Sequence, residues 1–435
     1  MRDLRSRIDP AFVVPFAVFL LVMRAPGGTV LLGVVGAGLL LWRGVRAVPV
    51  GGLIGAYAVC AATAALASIL ADDHNATNYV WPAVCFGLFS AAVLWTGDVR
   101  DNVRGIITGM VAGFSTALAI ACFEILTGLR LLTIGQESNK KLQQSLLEGR
   151  FRTGAIYTNY NDLSVALTIL TLILVGRLLF GSKRNPVTTT IHVVVAAAAS
   201  SLVVLMGSRG SLAGLLLGLL VIVLLASRAA SPRVWTNLRV GAILAVAGGL
   251  VAYVWTSPYV QDHSTAIRER ILQSAIHLMD LEPMTWLLGF SSELRYAEHA
   301  AALYGNELMN PHNLILELLL NYGVVGLAAA ATAWFVLVVR GLSVSAPLHW
   351  ALPTFTVAAL VIPVLGLVPS TTLPYGFIQL LVLGLAGSIL ARRRPSASAL
   401  AATREPAQGD HGPEAGDPTD HGREDIGLDQ GASHR

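Results

Sequence analysis

The residues with the most chemical potential lie between 310 and 327, in the run N-P-H-N-L-I-L-E-L-L-L-N-Y-G-V-V-G-L. Asn310 reads as a helix cap, Pro311 as the first helical position, and a long apolar run follows. Asn313, Glu317 and Asn321 recur every four residues and so share one stripe of that helix. His312 stands roughly 100° away in the first turn, where the positive end of the helix dipole keeps an imidazole usable as a base. The same residues would also serve a helix start that merely caps itself at a membrane surface. Three further segments carry arginine. Arg209 lies in M-G-S-R-G-S, Arg268 in T-A-I-R-E-R-I-L, and Arg150 with Arg152 just ahead of Tyr157-Thr158-Asn159-Tyr160-Asn161-Asp162. A guanidinium grips phosphate oxygens two at a time and never loses its charge. Arginines that anchor helix ends at an interface, or sit on a solvated loop helix, are the simpler alternative at each place.

The elements that must position these groups are membrane helices. Of the 435 residues, 54% are hydrophobic and only 13% charged, about half the charged share of a soluble domain. Apolar runs near 12–23, 29–42, 50–70, 79–95, 105–127, 159–180, 187–206, 211–226, 238–255, 323–339, 350–367 and 372–391 predict about 12 transmembrane helices. The fold class expected is all-α, a polytopic integral membrane protein. The first span carries no small-residue cleavage site and is expected to be retained. The net charge of +4 does not imply a nucleic-acid partner, because Lys and Arg gather in the short connections between spans. With the N-terminus in the cytoplasm, each even-numbered connection is basic: Arg43 and Arg46, Arg100 and Arg104, Lys183 and Arg184, Arg228 with Arg233 and Arg239, Arg340, then Arg392 to Arg394.

That assignment puts the polar segments within residues 150–330 at the outer face. Two outer connections are long, roughly 128–158 and 256–310; the second, between the ninth and tenth spans, predicts helices around 267–281 and 292–304. A transmembrane domain over 1–394 is followed by a tail, 395–435, rich in Ala, Gly, Pro, Asp and Glu and expected to be a disordered cytoplasmic segment. Cys60, Cys85 and Cys122 all lie in apolar runs, which argues against a disulfide framework. The sequence contains no phosphate-binding glycine loop, no H-E-x-x-H and no G-x-S-x-G. No cofactor is expected. Metal ligands are not expected either, since no outer carboxylates cluster.

Arginine forks and a base gathered on the outer face of a membrane body suit a lipid-linked pyrophosphate. The segments that carry them resemble the O-antigen ligase and polymerase family. The likeness runs through Gly154 to Asn161 and Leu163, Met206-Gly-Ser-Arg-Gly210, Arg268 through Ala275 to Pro283 and Leu288-Gly289, and Pro311-His-Asn313 through Gly323 to Gly326-Leu327. It departs at Asn321, where the family often has an acid, with Glu317 one turn earlier. It departs again at Gly289-Phe-Ser291, where the family has Gly-x-Gly, and in the offset of Arg152 from Gly154. The resemblance implies a GT-C-type glycosyltransferase in the bacterial cytoplasmic membrane. Its donor would be a glycan on undecaprenyl pyrophosphate and its acceptor a surface glycan or lipid-glycan. Arg209, Arg268 and Arg152 would bind the pyrophosphate and His312 would be the base. Asn313 and Glu317 would orient His312 or the acceptor. A transporter of lipid-linked sugars is the alternative; it would use the arginines and need no base.

Overall fold

A computed structural model describes residues 10–23, 51–71, 99–131, 136–149, 151–157, 159–181, 185–227, 263–291, 293–304, 313–343, 350–367 and 377–391. The apolar runs at 29–42, 79–95 and 238–255, the tail 395–435, Arg150 and His312 lie outside the described residues. The described residues form helices and no strand. In chain order these are α1 (Pro10–Val22), α2 (Gly51–Leu70), α3 (Val99–Thr127), α4 (Gln136–Leu147), α5 (Tyr160–Phe180), α6 (Pro186–Met206) and α7 (Arg209–Ser227). Then come α8 (His263–Leu281), α9 (Met284–Leu288), α10 (Glu293–Tyr304), α11 (Leu314–Leu342), α12 (Ala351–Leu365) and α13 (Phe377–Ala391). Five segments among them are long and apolar enough to cross a bilayer: Val103–Thr127 of α3, α5, α6, α7 and α11.

The body is built around α5. Every residue from Leu163 to Leu174 is buried, so this helix is apolar all round and surrounded by others. It packs against α3, α6, α7 and α12. Lipid tails offer no hydrophobic gain for joining two apolar helices, so close backbone approach has to supply the contact, and small residues make it possible. Gly176 of α5 faces Thr354 of α12, Gly218 of α7 faces Leu172 of α5, and Gly341 of α11 faces Thr356 of α12, each with too little space for a side chain to be added without a shift. On α6, His192, Ala196, Ala199, Leu202, Val203 and Met206 form the buried stripe. Val187, Val194, Val204 and Leu205 of the same helix are exposed. A helix apolar on its exposed face as well as its buried one belongs in hydrocarbon, not in water.

α5 and α12 run antiparallel. Gly176 meets Thr354, and the Arg177 guanidinium lies 5.8 Å from the centre of the Trp350 ring, so the last turn of α5 is level with the first of α12. Arg177 therefore sits at the end of the body away from the start of α5. Arg340, in the last turn of α11, lies at that same end, as the alternation of basic connections requires.

Both long connections contain helices among the described residues. In the first, α4 is tied back to the end of α3, where Arg130 N–H donates to Asn139 Oδ1 at 2.9 Å. In the second, α8 and α10 fall where helices were expected, and the short α9 stands between them. Residues Ile271, Ala275, Leu278 and Met279 of α8 form one apolar cluster with Phe290, with Tyr296 and Ala300 of α10, and with Leu316 and Leu320 of α11.

Two expectations about α11 are corrected. Its cap is Asn313, not Asn310, and its first helical residue is Leu314, not Pro311. The Asn313 backbone is extended (φ −158°, ψ 117°), and its Oδ1 accepts from Ile315 N–H at 2.9 Å and Leu316 N–H at 3.4 Å. Both asparagines can cap, and the one directly ahead of the apolar run reaches two amides that would otherwise lack partners. The span expected at 323–339 also starts nine residues earlier, at Leu314, and is broken rather than preceded by Gly323, whose φ of 65° and ψ of −172° are not helical.

Candidate active site

Three helices begin at one end of the body, and each start is fixed by its own sequence. At α5 the cap is Asn159, whose side chain accepts from Asn161 N–H at 3.0 Å, and Asp162 in the first turn suits the helix dipole. At α7 the chain turns back on Gly207, which ends α6 in the left-handed conformation (φ 66°), and Arg209 opens the next helix two residues later. At α11 the cap is Asn313.

Hydrogen bonds then join the three starts. Ser164, one turn into α5, lies with its Oγ 2.6 Å from Ser211 Oγ, two residues after Arg209. Ser208 donates to the same Ser211 oxygen at 3.2 Å, and Thr168 Oγ1 donates to the Ser211 carbonyl at 3.3 Å. All four polar side chains are buried, so the start of α7 is pinned to the start of α5 inside the protein. The start of α11 is pinned to the end of α12: Leu314 N–H donates to the Gly366 carbonyl at 2.8 Å. Gly214 of α7 packs on Leu365 beside that carbonyl. The helix starts that carry Arg209 and Asn313 thus meet at the C-terminal end of α12, with α5 alongside. The C-terminal ends of α6 and α12 lie at this same end, so the helix dipoles partly cancel there and full positive charge comes from arginine.

Arg152 belongs to the same end. Its guanidinium lies 5.2 Å from the centre of the Tyr160 ring, at the first residue of α5. Tyr160 is one turn ahead of Ser164 on the same face. The segment that carries Arg152 is held from below by Glu124, in the last turn of α3, which is fully buried. The Glu124 carboxylate accepts from the Thr153 hydroxyl, from Ala155 N–H at 3.1 Å and from Leu131 N–H at 3.1 Å. Tyr157 closes the segment on α1 by donating to the Val22 carbonyl at 3.3 Å. Glu124 was not among the residues singled out from sequence. Its signal was there, as a lone carboxylate inside an apolar span.

The connection 263–304 leans on α11 at its kink. Gly289 (φ 77°) and Gly323 (φ 65°) cross backbone to backbone: a side chain on Gly289 would run into the Asn321 carbonyl and Tyr322 N, and one on Gly323 into the Leu287 carbonyl and Leu288 N. Between them Phe290 N–H donates to the Leu320 carbonyl at 2.6 Å. In an unbroken helix that carbonyl would be served by residue 324; here a donor from outside the helix reaches it. Ser291, which stands where the related pattern has glycine, is also left-handed (φ 69°). It is buried, and its hydroxyl has no hydrogen-bond partner among the described residues.

The structure therefore gathers Arg152, Arg209 and Asn313 at one end of the body. Glu317 is one turn inside α11 and 1% exposed, and Asn321 donates from its side chain to the Glu317 carbonyl at 2.8 Å, immediately before the kink. The Asn313 Oδ1 is engaged in the cap. Arg268 lies on α8 one turn ahead of Ile271, which shares an apolar cluster with Leu316. Among the described residues no group of three or more His, Cys, Asp or Glu is arranged to hold a metal ion.

Residues 193–331, from within α6 to within α11, match the family model described as O-antigen ligase. The matched stretch contains Arg209, Arg268, His312, Asn313 and Glu317, and Arg152 precedes it. A comparison with curated proteins finds no match. The matched stretch, the membrane-spanning helices and the polar segments gathered at one end agree. The match over residues 193–331 supports assigning this part of the chain to the O-antigen ligase/polymerase family.

Proposed function

We propose that the protein is an inverting glycosyltransferase that moves a glycan from undecaprenyl pyrophosphate to an acceptor hydroxyl at the outer face of the bacterial cytoplasmic membrane. The observation that carries this reading is the convergence of three helix N-termini, with Arg152 and Arg209 among them, at one end of α12. The guanidinium groups bring full positive charge there, in a membrane body where charge is little screened. Arg209 and Arg268 hold the pyrophosphate, Arg152 assists, and all three favour the charge that develops as it departs. His312 takes the proton of the acceptor hydroxyl. The acceptor oxygen bonds to the anomeric carbon on the face opposite the phosphate while the bond from that carbon to the phosphate oxygen breaks. The pyrophosphate lipid leaves as an anion and His312 returns its proton to water. Asn313 and Glu317 orient His312 or the acceptor. Guanidinium groups supply the positive charge, so no metal is required.

The test is transfer of a labelled glycan from its lipid carrier, measured beside donor binding by the same purified variants. His312→Ala should keep donor binding and lose ~10²–10⁴-fold in transfer, the usual effect of removing a general base. Arg209→Lys keeps the charge and loses the fork, so binding and transfer should both fall. Near-normal transfer by His312→Ala would remove the base from the mechanism, whereas wild-type protein that binds the donor and transfers nothing would leave a carrier of lipid-linked sugars as the better reading. Orientation has its own test. In a background with Cys60, Cys85 and Cys122 replaced, single cysteines at Ser138 and Glu298 should react with an impermeant thiol reagent on intact cells. One at Ser182 should react only after lysis. The reverse pattern would place the arginines in the cytoplasm.

A further inference from the structure

We infer that Glu124 is a positioning residue that fixes Arg152 for recognition of the donor's pyrophosphate; this rests on the function proposed above. A carboxylate in the last turn of a helix faces the negative end of the dipole, and inside an apolar span it loses its water as well. Nothing about α3 favours an acid there. What stabilises Glu124 is the chain that folds over it: the Thr153 hydroxyl and Ala155 N–H on one oxygen, and Leu131 N–H on the other. An ionised carboxylate is acceptor-only, and all three of these partners are donors. The three bonds clamp both sides of the connection that holds α4, and two of them fall just after Arg152. Thr153 is the next residue, and Ala155 takes a left-handed conformation (φ 50°) that a free chain would avoid.

Arg152 is then oriented from two sides. The backbone on its C-terminal side is fixed to Glu124, and its guanidinium lies over Tyr160 at the start of α5. That leaves the guanidinium a narrow range of directions at the end of the body where α5 and α7 begin. Preorganised cations bind a divalent anion better than mobile ones, because no ordering is left to be done on binding. Glutamine cannot replace the acid. With its oxygen toward Thr153 and Ala155 it points an amide N–H₂ at Leu131 N–H, and with its oxygen toward Leu131 it points N–H₂ at Ala155 N–H.

The experiment uses the full chain in detergent, with farnesyl pyrophosphate as the probe and farnesyl monophosphate as the control. Arg152→Ala and Glu124→Gln should each weaken pyrophosphate binding about tenfold to a hundredfold, the scale of a misplaced group. The double variant should be no weaker than Arg152→Ala alone, because a positioning residue has nothing to position once its target is gone. A general loss of structure would instead multiply the two factors, and that result, or unchanged binding in Glu124→Gln, overturns the inference. Thr153→Val removes one of the three bonds and keeps the carboxylate, so it reads the same coupling with a smaller effect should Glu124→Gln fail to fold. Wild-type protein that binds neither probe would overturn the proposed function, and this inference with it. Wild-type binding lowered by Arg152→Ala but indifferent to Glu124 overturns this inference alone.

Discussion

The body around α5 and the connection 263–304 are held in different ways. In the body, α5, α7 and α12 meet through side chains: serine on serine, threonine on a carbonyl, glycine against the end of a leucine. In the connection 263–304, the decisive contact is backbone on backbone, where Gly289 and Gly323 cross at the kink of α11. Side chains can shift by a fraction of an ångström when a neighbour grows, whereas a peptide carbonyl fixed in a helix cannot. The body should therefore tolerate small substitutions that the kink does not.

The largest effect is expected at the kink. Gly323→Ala puts a methyl group into the Leu287 carbonyl and demands a left-handed conformation that alanine resists. A loss of more than about 3 kcal/mol is expected. It should appear as early protease cleavage between 263 and 304 and a lower unfolding temperature in detergent. Wild-type protection there would mean that the crossing does not hold the connection down. Next comes a gain. Ser291→Gly relieves a left-handed serine and removes a buried hydroxyl that lacks a partner among the described residues, so a rise of about 1 kcal/mol is expected. Unchanged or lower stability would show that the serine hydroxyl is satisfied in solution. In the body, Ser211→Ala breaks the link between α5 and α7 and should cost about 1 kcal/mol, the usual worth of a hydrogen bond between membrane helices. Transfer should fall with it if the link sets the position of Arg209. Gly214→Ala should change least. Its new methyl meets the end of the Leu365 side chain, and the better helix propensity of alanine offsets the crowding to within about 1 kcal/mol. If Gly214→Ala proved as damaging as Gly323→Ala, the contrast between the two regions would fail.

Much of this arrangement was legible in the sequence because it is local. The turn at Gly207, the cap at Asn159 and the helices α8 and α10 follow from residue types within a few positions of each other. Of the arginines outside the basic connections, Arg152 and Arg209 lie at the end where α5 and α7 begin. What the sequence hid depends on distant partners. The run through Gly323 stays apolar on both sides, so periodicity reads one helix, and only the backbone of Gly289 explains the break. Asn310 and Asn313 are equivalent caps by type, and the choice between them is made by which amides each can reach. Glu124 looked like an isolated acid because its donors come from 7, 29 and 31 residues away.

The bond from Leu314 N–H to the Gly366 carbonyl has a consequence for charge. It sets the positive end of α11 against the negative end of α12, so the two partial charges largely cancel where they meet. The start of α7 is offset in the same way by the C-terminal end of α6, which stops at Gly207 two residues before Arg209, and Asp162 lies in the first turn of α5. Helix ends therefore add little net charge where α5, α7 and α11 begin, and the pull on an anion there falls to side chains such as Arg152 and Arg209. A charged leaving group would then be steered by side chains, which can be changed one at a time, and not by the fixed backbone.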